Sequence, residues 1–346
     1  MNIVFKCDVG NKIGLGHYIR SKSLAQHLLF KKKKCILISH GLDLIHKDAK
    51  KVFNKCIKLK YKYANSSSIK ELLSILKKYD SKILILDSYY TNLKYEYQIY
   101  KNNFKYLKFG SEKGYPYYCS ILLNPSSIKI DKNQIKNKSV VILNGPKYFI
   151  IRQNLLKLQK RKIRKKISKV FINFGGGDDF GMIIFLIKIF SDKIYSNIVF
   201  YILTTNNNPN LDNIKDLMKR KYYSNFKLIL NNFNFRDLIY KCDLGIISGG
   251  TILNESVYSQ LPSIVITTAD NQIPQTKFWN KKGAINYIGN SNEINKNYLK
   301  KTFQLNYSYD IRNKMQKNKL IDGKSIKRIC ETIISVSNNE NIKKKN

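Results

Sequence analysis

Short continuous apolar runs punctuate this chain, several of them ending at a glycine, an aspartate or a serine before helical spacing begins. The first, Asn2-Ile3-Val4-Phe5-Lys6-Cys7, leads through Ile13-Gly14-Leu15-Gly16-His17-Tyr18-Ile19-Arg20 into Ser23-Leu24-Ala25-Gln26-His27-Leu28-Leu29. Runs at 35–41 and 82–87 end at Gly41 and Asp87, and between them Ile69, Leu72, Leu73 and Leu76 take the spacing of one helix face. Further short runs lie at 105–109, 120–123 and 140–143. Because they are continuous rather than alternating, they predict strands covered on both faces, the condition of a parallel sheet flanked by helices.

The pattern restarts after a basic stretch. Residues 157–169 lack glycine and carry no strong apolar face, so they read as a connection between domains. Lys169-Val170-Phe171-Ile172-Asn173-Phe174 then predicts a strand, Gly175-Gly176-Gly177 its turn and 182–190 its helix, with later strands at 197–203, 227–230, 244–247 and 263–266. Each half opens strand, glycine-rich turn, helix. The expected architecture is α/β, two Rossmann-like domains facing across a cleft. Their bounds are an N-terminal domain over 1–156, a basic linker over 157–168, a C-terminal nucleotide-binding domain over 169–337 and a frayed polar tail over 338–346. Ligands of such sheets gather outside the carboxyl ends of the strands.

Composition changes this picture little. The 346 residues suit two domains at about 100–200 residues each. With 43 % hydrophobic and 12 % aromatic residues, a disordered chain is excluded. No apolar run approaches the roughly 18 residues of a membrane span, and 182–190 is already broken by Lys188. The first apolar run has no basic leader and stops at Cys7-Asp8, so no signal peptide is expected and the expected location is cytoplasmic. Cys7, Cys35, Cys56, Cys119, Cys242 and Cys330 include no Cys-x-x-Cys pair and read as reduced core thiols. The 63 Lys+Arg against 23 Asp+Glu give a formal charge of +40. A nucleic-acid or membrane-facing surface is one reading. Compositional drift is preferred, because Lys, Ile, Asn and Tyr are abundant together along the whole chain. Residues 31–34 and 160–166 would still attract anionic lipid or polyanions weakly, without specific nucleic-acid binding.

Candidate chemistry concentrates in two turns. N–H groups at a helix start are unpaired and the macrodipole favours an anion, so the turn holding Gly14 and Gly16 suits a phosphate-bearing ligand. It is not a dinucleotide fingerprint: Ile19 stands where a third small residue is needed, and Asp43 lies too far on to be the ribose acid. A phosphate cradle needs glycine but no imidazole, and that singles out His17, since an imidazole with its ordinary pKa of about 6.5 suits proton abstraction near neutrality. The bland alternative is a polar residue at a helix start. His27, His40 and His46 make no metal-binding spacing with it, so neither metal nor cofactor is expected. Asp8 stands just before the turn. Asp87 ends a buried run in Leu86-Asp87-Ser88-Tyr89, as a helix cap or as a substrate contact.

The second turn lies in Ile246-Ile247-Ser248-Gly249-Gly250-Thr251-Ile252-Leu253-Asn254-Glu255. Gly249 and Gly250 let backbone approach a diphosphate, Thr251 opens a helix, and Glu255 lies one turn in, where a carboxylate can accept from ribose hydroxyls; the alternative is a surface glutamate. Ala269-Asp270-Asn271-Gln272 brings polar side chains to another strand's carboxyl end.

With these residues in hand, the chain resembles, over most of its length, the UDP-sugar hydrolase family of pseudaminic acid biosynthesis (PseG) and the related spore-coat polysaccharide proteins. Asp8 with Ile13 to Arg20 fits the family's strand-Asp and Ile-Gly-x-Gly-His-x-x-Arg loop, with Ser21 where Cys is usual. Asp87-Ser88-Tyr89 resembles its Asp-His-Tyr, and Gly145-Pro146-Lys147-Tyr148-Phe149-Ile150-Ile151-Arg152 its Gly-Pro-x-Tyr-Ala-Leu-Leu-Arg. Phe174-Gly175-Gly176-Gly177-Asp178 resembles its Leu-Gly-Gly-Thr-Asp. Gly249-Gly250-Thr251 with Glu255, Leu261-Pro262 and Asp270-Asn271-Gln272 match its C-terminal signature. The order of these motifs carries the resemblance more than any one of them. Two departures fall near the expected cleft: Phe109-Gly110-Ser111-Glu112 replaces a paired aspartate, and Ser88 replaces a histidine.

The resemblance implies a GT-B fold, as in the lipid-II-forming N-acetylglucosaminyltransferase. It implies His17 as the base and Arg152 and Glu255 as nucleotide-sugar contacts. The implied reaction is inverting, metal-independent hydrolysis of a UDP-linked amino-deoxy sugar, releasing UDP and free sugar in nonulosonic acid biosynthesis for surface polysaccharide or flagellin glycosylation. UDP is already a good leaving group, so the needs are a base, donors for the diphosphate charge and a closed site. His17 would deprotonate water, Asp8 or Asp87 would orient His17 or a sugar hydroxyl, and Gly249, Gly250, Thr251 and Arg152 would hold the diphosphate. Gly14, Gly16, Tyr89, Gly176, Asn271 and Gln272 complete the expected substrate contacts. The alternative is glycosyl transfer from a UDP-sugar on the same scaffold, with an acceptor hydroxyl in place of water.

Overall fold

All the strands paired into the two sheets of this computed structural model run parallel, as the continuous apolar runs predict. The structure describes residues 1–10, 16–110, 115–126, 128–156, 161–219, 223–232, 235–316 and 320–339. Gly14, Ser111 and Glu112 lie outside the described residues. The chain divides into two units, one of Met1–Ile150 with Gly323–Asn346 and one of Ile151–Asp322.

The first unit runs β1 (Asn2–Cys7), α1 (Gly16–Phe30), β2 (Lys34–Ser39), α2 (His46–Ala49), β3 (Lys55–Lys58), α3 (Ser66–Lys78), β4 (Ser81–Asp87), α4 (Leu93–Lys101), β5 (Tyr106–Phe109), β6 (Ile121–Asn124) and β7 (Val141–Asn144). Strand order is β3-β2-β1-β4-β5-β6-β7. Val4, Ile36, Ile38, Leu84 and Leu86 of the sheet pack with Leu72, Leu76 and Ile99 of the helices. Each such side chain contributes about 1.5–3 kcal/mol on burial. Helix α3 starts three residues before Ile69 because Asn65 and Ser68 form a capping box. Strand β3 carried no apolar run; as an edge strand of sequence Lys-Cys-Ile-Lys it has little to bury. The register pairs Cys7 with Asp87, so the ends of β1 and β4 lie side by side, and Asp8 N donates to the Asp87 carbonyl at 3.3 Å.

The second unit runs β8 (Lys169–Asn173), α5 (Met182–Phe190), β9 (Val199–Thr204), α6 (Leu211–Met218), β10 (Phe226–Leu230), α7 (Arg236–Lys241), β11 (Leu244–Ser248), α8 (Thr251–Tyr258), β12 (Ser263–Thr267), α9 (Ile273–Lys281), β13 (Asn286–Asn290), α10 (Lys296–Leu305) and α11 (Tyr309–Met315). Its order is β10-β9-β8-β11-β12-β13. The hydrophobic helix α5 lies in a core with Phe200, Phe226 and Phe303, and the Phe190 and Phe303 ring centroids are 4.6 Å apart.

Two segments differ from the expected domain layout. Within the stretch read as linker, Arg161 is buried and packs into the second unit. Its Nη2 donates to Ile239 O at 2.5 Å, its Nη1 to Cys242 O at 2.6 Å and Tyr240 O at 3.2 Å, and its Nε to Ser259 O at 3.0 Å. Arg164 pairs with Asp243 at 2.7 Å, whose other oxygen accepts from Ser168 N and Lys169 N. These arginines satisfy helix-end carbonyls and a buried acid, a task that a charge run does not reveal in sequence. The last helix, α12 (Ser325–Ser337), belongs to the first unit, not to the C-terminal domain. It packs on α1, buries Ile326, Ile329, Cys330 and Ile333, and Cys330 Sγ donates to Leu24 O at 3.7 Å. Arg328 donates to Lys147 O and Lys105 to Val336 O, fastening the helix near both ends.

No disulfide joins the six cysteines; five are buried and Cys56 is half-buried. Among the described residues no helix is long and apolar enough to cross a membrane.

Candidate active site

In the first unit the carboxyl ends of β1 and β4 form the switch point of the sheet, where chain connections leave in opposite directions. Gly16 begins α1 there. A Cβ on it would meet nothing, so crowding is not what selects glycine at this position. His17 follows, 5 % exposed, and its Nδ1 lies 2.6 Å from Asp87 Oδ1 and 3.0 Å from the Asp87 carbonyl. Arg20, one turn on, donates from Nη2 to Oδ1 at 2.8 Å and from Nε to Oδ2 at 3.0 Å. Burial raises the Asp87 pKa, but the charges and hydrogen bonds of Arg20 and His17 outweigh it and hold the carboxyl at about 2. An ionised carboxylate only accepts, so Nδ1 of His17 is the donor, and whenever the ring is neutral Nε2 holds the lone pair. The exposed Tyr89 ring stands edge-on to the imidazole at 4.5 Å, and Arg20 lies over the Phe109 ring at 4.9 Å.

The structure separates the two aspartates. Asp87 meets His17, whereas Asp8 ties down the turn after β4: it accepts from Ser88 Oγ at 2.8 Å, Tyr89 N at 2.6 Å and Tyr90 N at 3.3 Å. Ser88 also accepts from the buried Lys6 at 3.1 Å. Burial pushes the Lys6 pKa down, with Asp8 opposing. Ser88, where the resembled family has histidine, is thus a bridge between Lys6 and Asp8.

In the second unit the switch point lies between β8 and β11. Gly249 follows β11 and tolerates no side chain: a Cβ there would stand 2.4 Å from Thr276 Oγ1 and 3.0 Å from Gln272 Cβ. Gln272 Oε1 accepts from Gly249 N at 3.1 Å and Thr268 N at 3.0 Å, and its Nε2 donates to Thr268 Oγ1 at 3.2 Å. Gln272 therefore shapes the glycine turn. Gly250 caps α8 without a side-chain cap bond, so the helix begins with backbone donors that no capping side chain occupies. Thr251 opens α8 and Glu255 lies one turn in, fully buried, its Oε1 accepting from Arg152 Nε at 2.6 Å. Burial raises the Glu255 pKa and Arg152 opposes it. The Arg152 guanidinium stacks over Phe235 at 4.6 Å. Gly176 follows β8, its carbonyl accepting from Thr205 Oγ1 at 2.6 Å, and Asn271 is exposed after β12.

His17, Asp87 and Tyr89 are brought together in one unit, and Arg152, Glu255, Thr251, Gly249, Gly250 and Gln272 in the other. Reading the residues singly missed three partners: Arg20 beneath Asp87, Phe109 under Arg20 and Phe235 under Arg152. Arg20 had a signal, because a residue three positions after His17 shares its helix face.

Two parallel α/β units with strand orders of this kind define the GT-B fold. Solved structures bear this out: Acinetobacter baumannii MurG (TM-score 0.67, 10 % identity) and a UDP-GlcNAc 2-epimerase of Neisseria meningitidis bound to UDP-GlcNAc (0.66, 15 %) each cover 97 % of this chain and are themselves covered completely. A glycosyltransferase of Rickettsia africae has TM-score 0.68 at 16 % identity, with 98 % of this chain and 99 % of that one covered. In sequence, the chain is 26 % identical over 290 residues to the UDP-2,4-diacetamido-2,4,6-trideoxy-beta-L-altropyranose hydrolase of Campylobacter jejuni, covering 82 % of this chain and 97 % of that protein. The resemblance read from the motifs is thereby supported across most of the chain. No family model matches.

Proposed function

We propose that this protein hydrolyses a UDP-linked amino-deoxy sugar at its anomeric carbon, releasing UDP and the free sugar, as a step toward a nonulosonic acid for surface glycans. Similarity to the Campylobacter jejuni hydrolase supports the substrate class. The observation that carries the chemistry is the His17–Asp87 pair, with Nδ1 committed to the carboxylate and Nε2 left as base.

In the proposed step, Nε2 of His17 takes a proton from water as the water oxygen bonds to the anomeric carbon. The bond from that carbon to the diphosphate oxygen breaks, UDP leaves as an anion, and the configuration inverts. The proton on His17 returns to solvent. The donors at the start of α8 and the Arg152 guanidinium supply the positive potential that the diphosphate needs, so the step calls for no metal ion. Glu255 accepts from the ribose.

The test is release of UDP from UDP-2,4-diacetamido-2,4,6-trideoxy-β-L-altropyranose with no acceptor present. The expected result is turnover that falls about 10²–10⁴-fold in His17→Ala, the usual worth of a general base. Survival of that variant within tenfold, or turnover only after a glycan or lipid acceptor is added, would overturn the reading; the second outcome would make the protein a transferase.

A further inference from the structure

We propose that Arg20 is a positioning residue that keeps His17 competent as a base, by holding Asp87 in a two-pronged guanidinium fork that offsets the charge of the carboxylate on the imidazole while the carboxylate itself fixes the tautomer. The inference rests on the proposed role of His17.

A carboxylate beside an imidazole does two things. It holds the ring through a hydrogen bond, and in a buried place its charge favours the protonated ring, which is useless as a base. Here the carboxylate is 2 % exposed, so water screens little of that charge. Arg20 removes the second effect without losing the first. Its Nη2 and Nε take one hydrogen bond on each oxygen, at 2.8 and 3.0 Å, and still leave Oδ1 free to accept from His17 Nδ1 at 2.6 Å. Nη2 also lies 3.4 Å from His17 Nδ1. Two donors that close share Oδ1 as acceptor, and a second positive charge on the ring would face the guanidinium directly.

The surroundings leave this task to Arg20. From β1, the Cys7 thiol is kept neutral by burial, Lys6 is engaged with Ser88, and Asp8 is engaged with the turn after β4. From β5, Lys108 pairs with Glu96 at 2.6 Å, and Phe109 presents its ring to the guanidinium. Tyr89 faces the other side of the imidazole. Among the described residues Arg20 is the cation that contacts Asp87. The stack on Phe109 fixes the plane of the fork, which a flexible ammonium could not reproduce.

Arg20→Met removes the charge and the fork at similar length; Arg20→Lys returns charge without the fork. Nitrogen-15 NMR of the histidine rings reads the free protein without any substrate. In the wild type at pH 8 the His17 ring is expected to show a protonated Nδ1 and a bare Nε2. In Arg20→Met the carboxylate still accepts from Nδ1, so the neutral ring keeps its tautomer, but the ring spectrum shows the protonated form persisting to higher pH and the acid limb of the kcat profile moves up by about one pH unit. At pH 7, kcat falls about 10–100-fold with KM within threefold, and raising the pH recovers part of the loss. Arg20→Lys returns the charge and restores the acid limb, but without the fork kcat stays below that of the wild type. An unchanged ring spectrum and acid limb in Arg20→Met would overturn the proposal, as would a raised KM at constant kcat, which would make Arg20 a substrate contact. If the spectra change as expected while His17→Ala keeps its turnover, the positioning by Arg20 stands and the hydrolytic base is another group.

Discussion

Arg152 Nε donates to Glu255 Oε1 at 2.6 Å, while the second oxygen of that fully buried carboxylate has no hydrogen-bond partner among the described residues. A buried acceptor left open costs stability, and a ligand hydroxyl that reached it would supply the missing bond. Glu255→Gln keeps the shape and removes the charge. UDP affinity is expected to fall about tenfold, from the loss of a charge-assisted hydrogen bond worth about 1.5–3 kcal/mol partly offset by the amide. Isothermal titration with UDP reads this, and unchanged affinity would mean that Glu255 serves Arg152 alone.

Asp87 contributes to the acid limit of stability. Its folded pKa, about 2, lies below the ordinary 3.8, so the ionised form is favoured in the native state. The resulting stabilisation is fully present above about pH 4 and disappears as pH falls toward 2; its size is ~2 kcal/mol. Urea unfolding at pH 6 and at pH 3 should show the wild type losing part of this increment. Asp87→Asn should be weaker at pH 6 by about 3–5 kcal/mol, since Arg20 is left unpaired, and should lack that share of the acid sensitivity.

Asp87→Asn also tests the geometry of the base. An amide can present its N–H₂ to Nδ1 and so allow the opposite tautomer, with the proton on Nε2. UDP release should drop by about 10²–10⁴-fold with KM little changed. Asp8→Asn should act differently, by loosening the turn that carries Tyr89 and Tyr90, and should show mainly in thermal stability.

Gly249 has no room for a methyl group, whereas the nearest side-chain atom to a Cβ on Gly250 is Ser248 Oγ at 3.7 Å. Gly249→Ala should cost about 1–3 kcal/mol through overpacking against Thr276 and should abolish UDP binding. Gly250→Ala should bind UDP within a few-fold of wild type. Equal effects of the two would show that close backbone approach at Gly249 is not what the turn provides.

Arg161 donates to four carbonyls, and burial drives its pKa down to about 10. Arg161→Met leaves the end of α7 without those donors. A loss of about 3–5 kcal/mol is expected, read as a lower Tm with the catalytic constants of the folded fraction unchanged.

The sheets were legible because their central strands are buried on both faces and write continuous apolar runs. The segments 82–87 and 244–247 needed at most one added residue. Strands β3 and β13 were not legible, since edge strands can be as polar as Lys-Cys-Ile-Lys. His17 stood out because glycine turns do not need imidazoles, and Glu255 because of its place one turn into a helix. What spacing could not tell was which aspartate meets His17. Asp8 stands just after β1 and Asp87 ends β4, at the carboxyl ends of neighbouring strands, and only side-chain direction separates them. Arg161 and Arg164 looked like surface charge because basic residues surround them in a chain rich in lysine.

Helix α12 covers α1, which begins at Gly16, and the two elements are separated by the whole of the second unit. On a ribosome, the second unit has all of its residues before the first has its last helix. The earlier-made half therefore waits with the face of α1 that packs on α12 uncovered, and closes only across a very long loop. A fragment ending at Ile150 would keep every strand of its sheet and still expose apolar surface. Dissecting this protein into working halves accordingly requires joining 323–339 to the first half, not cutting the chain in two.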